Sequence, residues 1–101
     1  MLFRSADKWL ELARLKFAET GRVWAATLVC SGKAADAAEI YAQIGGAGEE
    51  AAARLLGAEQ LIAAGRRAEA DVQLQKALAF YSRAGAPRIV AQAEALLAAA
   101  S

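Results

Sequence analysis

Apolar positions along this chain fall into alanine- and leucine-rich blocks, and glycine sets the blocks apart: Gly21, Gly32, the cluster Gly45-Gly46-Gly48, Gly65 and Gly85. Glycine just past a helix end accepts the left-handed conformation that closes it. Inside the blocks, apolar residues return at steps of three and four, the spacing of one helical face. The pattern predicts six helices, at about 6–20, 22–31, 34–44, 49–64, 67–84 and 88–100. The first carries Trp9, Leu10, Leu12, Ala13, Leu15 and Phe17; the fifth Ala70, Leu74, Ala77, Leu78 and Tyr81; the sixth Ile89, Ala93, Leu96, Leu97 and Ala100. Pro87 stands at the start of the sixth, where a missing N–H costs little. Connections this short force consecutive helices to run antiparallel. Gly57 is out of place inside the fourth predicted helix, where it costs about 1 kcal/mol relative to alanine. A close helix crossing is the expected reason.

Composition strengthens the all-α reading. The 101 residues are 57% hydrophobic, and much of that is alanine, the best helix former. β-branched residues never alternate as a strand requires. A chain of this length makes one domain with a modest core. Twelve basic residues face eleven acidic ones, and neither half of the chain is polarised, which argues against a direct nucleic-acid surface. Arg66-Arg67, the densest basic spot, lies next to Glu69 and Asp71 and reads as a solvated turn. The strongly apolar run Val23–Cys30 is eight residues long, against the roughly twenty that cross a membrane. A single cysteine precludes an intrachain disulfide. The expected setting is cytoplasmic, with no membrane partner.

A repeat is visible at an offset of 33 residues, the distance from Gly32 to Gly65. At that offset Ala25 matches Ala58, Leu28 matches Leu61, Val29 matches Ile62, Ala37 matches Ala70 and Tyr41 matches Leu74. The unit is helix, glycine turn, helix. It resembles the tetratricopeptide repeat family, whose pattern places small residues on both helices, a glycine in the turn and an alanine five residues later. Ala58, Gly65, Glu69-Ala70, Leu74 and Lys76-Ala77-Leu78 occupy the matching positions of residues 51–84, and the resemblance also expects a small residue near Gly57. The unit before it matches less well: Trp24-Ala25, Leu28, Gly32, Ala37 and Tyr41 fit, but it breaks off at Gly45-Gly46. The large aromatic expected early in each unit is missing, and Arg54 holds that position in the second.

The resemblance implies an all-α solenoid of antiparallel helical hairpins, with about six helices in one domain spanning 1–101. It divides into a leading helix (1–20), a degenerate repeat (21–46), a better-matched repeat (48–85) and a terminal capping helix (87–101). Residues 51–100 also look like the ends of repeat arrays in large bacterial signalling proteins, among them class III nucleotide cyclases and transcription regulators with an ATPase core. Leu2-Phe3-Arg4-Ser5 would suit a chain that begins partway through such an array; an ordinary start is the alternative.

Candidate chemistry is thin. With no histidine, the usual general base near neutral pH is missing. Cys30 alone cannot hold zinc and is expected to be a small buried hydrophobe. Ser31-Gly32-Lys33 looks like the end of a phosphate-binding loop, but Thr27 and Ala34 stand where that motif needs a glycine and a hydroxyl residue. Glu49 and Glu50 after Gly45-Gly46-Ala47-Gly48 complement a helix dipole rather than bind phosphate. Glu49, Glu50, Glu59 and Glu69 show no sign of the burial that separates the pKa values of a catalytic pair. Trp9, Trp24, Tyr41, Phe80 and Tyr81, at helical spacing, are expected mainly in the core.

The reading is therefore a non-enzymatic protein-interaction or scaffolding module that needs no cofactor. It would be a free adaptor or the end of a signalling protein; the rival readings are a purely structural end-cap and a fragment of a DNA-associated regulator in which this part senses and another part binds DNA. Partners are expected to be a protein or peptide, or upstream repeats of the same chain. The first helix, with Trp9, Leu12 and Leu15 pointing one way and Leu10, Ala13 and Phe17 another, is expected to bury one face on the second helix. The other face is left for self-association or for a missing repeat.

Overall fold

The computed structural model describes the backbone of residues 2–99 and the side chains of residues 8–99. Ala100, at the end of the sixth predicted helix, lies outside the described residues, as does the side chain of Asp7. The described chain is all-helical and has five helices: α1 (Leu2–Cys30), α2 (Ala34–Gln43), α3 (Ala47–Ala63), α4 (Arg67–Ala84) and α5 (Pro87–Ala98).

Five helices stand where six were expected because Gly21 does not end one. Its φ is not positive, and α1 runs through it without interruption. A side chain there would crowd Ile44, whose Cγ2 lies 3.0 Å from where a β-carbon would stand. Gly21 thus lets α2 lie close on α1 instead of turning the chain. The expected break between the leading helix and the first repeat falls inside α1. The first predicted helix cannot fold back on the second, since the two are one rod.

The other glycines do turn the chain. Gly32, Gly45, Gly65 and Gly85 have φ of 76°, 80°, 76° and 71°. Three of the turns are built alike. The N–H after the glycine reaches back to the carbonyl five residues earlier: Lys33 to Leu28 at 2.8 Å, Gly46 to Tyr41 at 2.9 Å and Arg66 to Leu61 at 2.8 Å. The glycine N–H reaches back three residues, to Val29, Ala42 and Ile62. Together these bonds form the Schellman closure, which satisfies carbonyls orphaned at the helix end. Ala86 bonds Tyr81 in the fourth turn at 3.1 Å. In every turn the residue after the glycine also opens the next helix, its carbonyl accepting from the N–H four residues on.

Such tight turns set neighbouring helices antiparallel, and side-chain links fix the pairing. Gln60, late in α3, accepts from the Ala34 N–H at the start of α2 (3.0 Å). Arg67, at the start of α4, donates to the carbonyls of Leu96 and Leu97 at the end of α5, where exposed carbonyls favour a cation. Alternate helices are linked too, α1 to α3 by Arg22 and Glu49 (3.3 Å) and α3 to α5 by Gln92 and Glu59 (3.2 Å).

The core is built mostly of alanine. Ala25, Ala34, Ala37, Ala38, Ala58, Ala70, Ala77 and Ala93 are fully buried, and Leu74 is the only large side chain as deeply buried among the described residues. Small side chains bring helix axes close, so contact comes from backbone proximity more than from bulky interdigitation. Ala58, Ala70, Leu74 and Ala93 centre the main cluster, with Leu55, Leu61, Ile62, Leu78, Leu96 and Leu97 around it. That places the core between α3, α4 and α5. The radius of gyration is 16.5 Å, against about 13 Å for a compact chain of this length. The 61 × 30 × 18 Å envelope is long because α1 extends beyond the helices that cover it.

Candidate interaction surface

Of the large apolar residues left exposed, most lie on α1: Trp9, Leu10, Leu12, Leu15, Phe17, Val23 and Trp24, with Leu56 and Val72 elsewhere. α1 buries one stripe, centred on Ala25 and flanked by half-buried Ala18, Gly21, Leu28 and Val29, against α2. α2 has only ten residues and ends at the level of Gly21. From Lys8 to Phe17 every residue of α1 is therefore exposed.

Two open grooves run beside this helix. One, of about 620 Å³, lies between Leu10, Ala13, Phe17 and the end of α2 at Gln43 and Ile44. The other, of about 540 Å³, is bounded by Lys16, Glu19, Thr20, Val23, Trp24 and Thr27. Charged groups border the apolar residues: Lys16 lies 3.9 Å from Glu19 along the helix, and both are solvated. Exposed apolar surface with a charged rim is the usual character of a protein-contact face.

Trp9, Leu12 and Leu15 stand on this uncovered face. The structure corrects two burial expectations. Trp9 and Trp24 are 74% and 65% exposed rather than core, because α2 reaches only the opposite side of α1. Cys30 is exposed, since it follows the buried stripe by a step that turns it to solvent. Tyr41, Phe80 and Tyr81 are half-buried, and Phe80 and Tyr81 meet edge to face at 5.3 Å. Burial pushes the Tyr81 phenol up from its ordinary value.

The matched repeat positions gather where hairpins close. Ala25, Ala37, Ala58, Ala70, Leu74 and Ala77 are buried, as is Gly57; Leu28, Tyr41 and Leu61 are half-buried beneath the turns at Gly32, Gly45 and Gly65. Gly57 answers its own oddity. A methyl group on its Cα would stand 2.6 Å from the Ala35 nitrogen, so α2 and α3 cross in near-backbone contact.

Arg54 is where sequence reasoning found only a departure. It is 3% exposed and ties three helices together. Its guanidinium lies 2.8 Å from Glu50 Oε2, donates to Gln73 Oε1 at 2.8 Å and reaches Glu39 Oε1 at 3.3 Å. Glu50 four residues before Arg54 was the available signal, since i, i+4 carboxylate–arginine pairs are common on helices. The contributions from Glu39 and Gln73 depend on packing. Above this cluster a groove of about 380 Å³ crosses α3 between α2 and α4, edged by Lys33, Asp36, Glu39, Arg66, Glu69 and Gln73. Arg66 pairs with Glu69, which holds its guanidinium pKa above the ordinary value. These charges neutralise one another.

Among the described residues, no cluster of three or more His, Cys, Asp or Glu could hold a metal ion, and no helix is long and apolar enough to cross a membrane. Comparison with protein-family models, curated proteins and solved structures returns no match to this chain.

Proposed function

We propose that the chain is a protein-interaction module of tetratricopeptide type whose contact surface is the uncovered face of α1. The observation that carries this reading is the concentration of exposed Trp, Phe and Leu on one helix of an otherwise alanine-packed molecule. Tryptophan and other large apolar anchors supply most of the energy of protein interfaces. Support for the repeat comes from the like-built glycine turns and from the polar links between alternate helices, which stacking of hairpins produces. The module needs no cofactor, performs no catalysis and takes a protein or peptide rather than nucleic acid. It serves as a free adaptor or as the terminal part of a bacterial signalling protein.

One observation favours the rival reading, an end-cap of a larger cyclase or ATPase-type regulator. The exposed strip of α3 is Ala52, Leu56, Glu59 and Ala63, with few anchors for a ligand. In the end-cap reading, α1 is covered by preceding helices of the same chain.

The test is site-specific photo-crosslinking of the full chain in cells, with the photoreactive residue at Leu12 or, as control, at exposed Ala91. Protein adducts at position 12, and none at 91, are expected. Equal yields at both positions, or none at position 12, would reject the contact surface.

A further inference from the structure

The uncovered residues of α1 carry a second pattern. Read outward from the boundary between Ala13 and Arg14, residues 8–19 form a charge-inverted palindrome: Leu12 answers Leu15, Glu11 answers Lys16, Leu10 answers Phe17 and Lys8 answers Glu19. Trp9 answers Ala18, and only the central pair, Ala13 with Arg14, breaks the match; it lies off the seam described next. Lys8, Leu12, Leu15 and Glu19 follow one another at steps of four, three and four, the spacing of a helix–helix seam. All four are exposed. Resting on the reading of α1 as a contact surface, we propose that its occupant is a second copy of this chain, with the two α1 helices antiparallel about a two-fold axis between Ala13 and Arg14.

A two-fold axis places every contact twice. In this register Leu12 of one copy packs on Leu15 of the other at the centre, and one turn outward Lys8 faces Glu19. Lys16 then falls on the same flank as Trp9 of the second copy, within reach of a cation–π contact. Sliding the helices by one seam step in either direction sets leucine against a charged residue. Only the central register matches leucine with leucine and lysine with glutamate. At the same spacing the next seam residue is Arg22, exposed but paired with Glu49 of α3, so the seam meets the rest of the fold only outward of the contacts from Lys8 to Glu19. The existing contact between Lys16 and Glu19 is long and solvated, so Glu19 is free to take Lys8 instead.

The experiment is a charge-reversal cycle read by sedimentation equilibrium on the full chain, with helicity checked by circular dichroism. Wild type is expected to reach twice the 10.5 kDa of one chain. Lys8→Glu alone and Glu19→Lys alone set like charges in the seam at both symmetric positions and should each weaken dimerisation about tenfold or more. The double variant Lys8→Glu, Glu19→Lys restores opposite charges and should return near-wild-type association. Rescue of this kind requires the two positions to face each other across the interface. A wild type that stays monomeric, single reversals without effect, or a double variant as weak as the singles would each overturn the pairing. Monomeric chain that still crosslinks to another protein through Leu12 would reject self-pairing and leave the contact surface intact.

Discussion

Gly57 shows at the scale of one residue how packing reverses a propensity rule. Replacing a helix-interior glycine with alanine ordinarily stabilises by up to about 1 kcal/mol. Here the new methyl group would meet the Ala35 backbone, which cannot rotate away. Gly57→Ala is therefore expected to destabilise by about 1–3 kcal/mol in chemical denaturation; a stabilised variant would contradict the close crossing. Arg54 is the second decisive residue. Removing its side chain leaves Glu50 half-buried and Gln73 without a donor, so Arg54→Ala should cost about 3–5 kcal/mol. Arg54→Met fills most of the volume but leaves the same groups unpaired, and should cost nearly as much. A methionine variant close to wild type would show that filled volume, not the guanidinium's pairing, holds the three helices. Neither role was legible from type alone. The sequence marks Gly57 as odd and Arg54 as a departure, and only the neighbours from other helices say why.

At the scale of the element, the helices other than α1 begin and end close to where glycine spacing and apolar periodicity predict, because the Schellman closure is a local device. Its bonds all lie within six consecutive residues. Gly21 failed as a helix end for the complementary reason: a glycine without a left-handed φ carries no turn, and its service to Ile44 depends on a distant segment. Pairing of α3 with α4 rests on Ala58 and Ala70, both fully buried in the same cluster. Ala70→Leu should overpack this contact and lower stability by about 1–3 kcal/mol. Ala95→Leu, on the exposed side of α5, should leave the denaturation midpoint nearly unchanged. Comparable shifts for both would place Ala70 outside the packed contact.

For the whole molecule the packing is uneven: the core sits among α3, α4 and α5, while α1 stands free from Lys8 to Phe17. An isolated helix of that length is marginal in water, and local opening tracks local burial. Native-state hydrogen exchange should therefore show amides of residues 8–17 exchanging well before those of residues 70–78 in dilute chain. Protection of residues 8–17 should rise as concentration increases and copies pair. Uniform protection along the chain at low concentration would deny the free-standing character of α1.

What the sequence by itself determined is what local chemistry controls. Alanine richness and the three-and-four spacing made the chain helical, and the left-handed glycines at 32, 45, 65 and 85 placed its turns, because both act through bonds between near neighbours. The 33-residue offset aligned buried small positions such as Ala37 with Ala70, since like turns bury like neighbours. Tertiary structure alone decided the rest. It made Gly21 a packing surface rather than a break, turned Arg54 into the tie between three helices, and left both tryptophans in water. Burial is a property of what lies opposite: α2 covers one side of α1 and ends at the level of Gly21, which leaves Trp9, Leu12 and Leu15 uncovered.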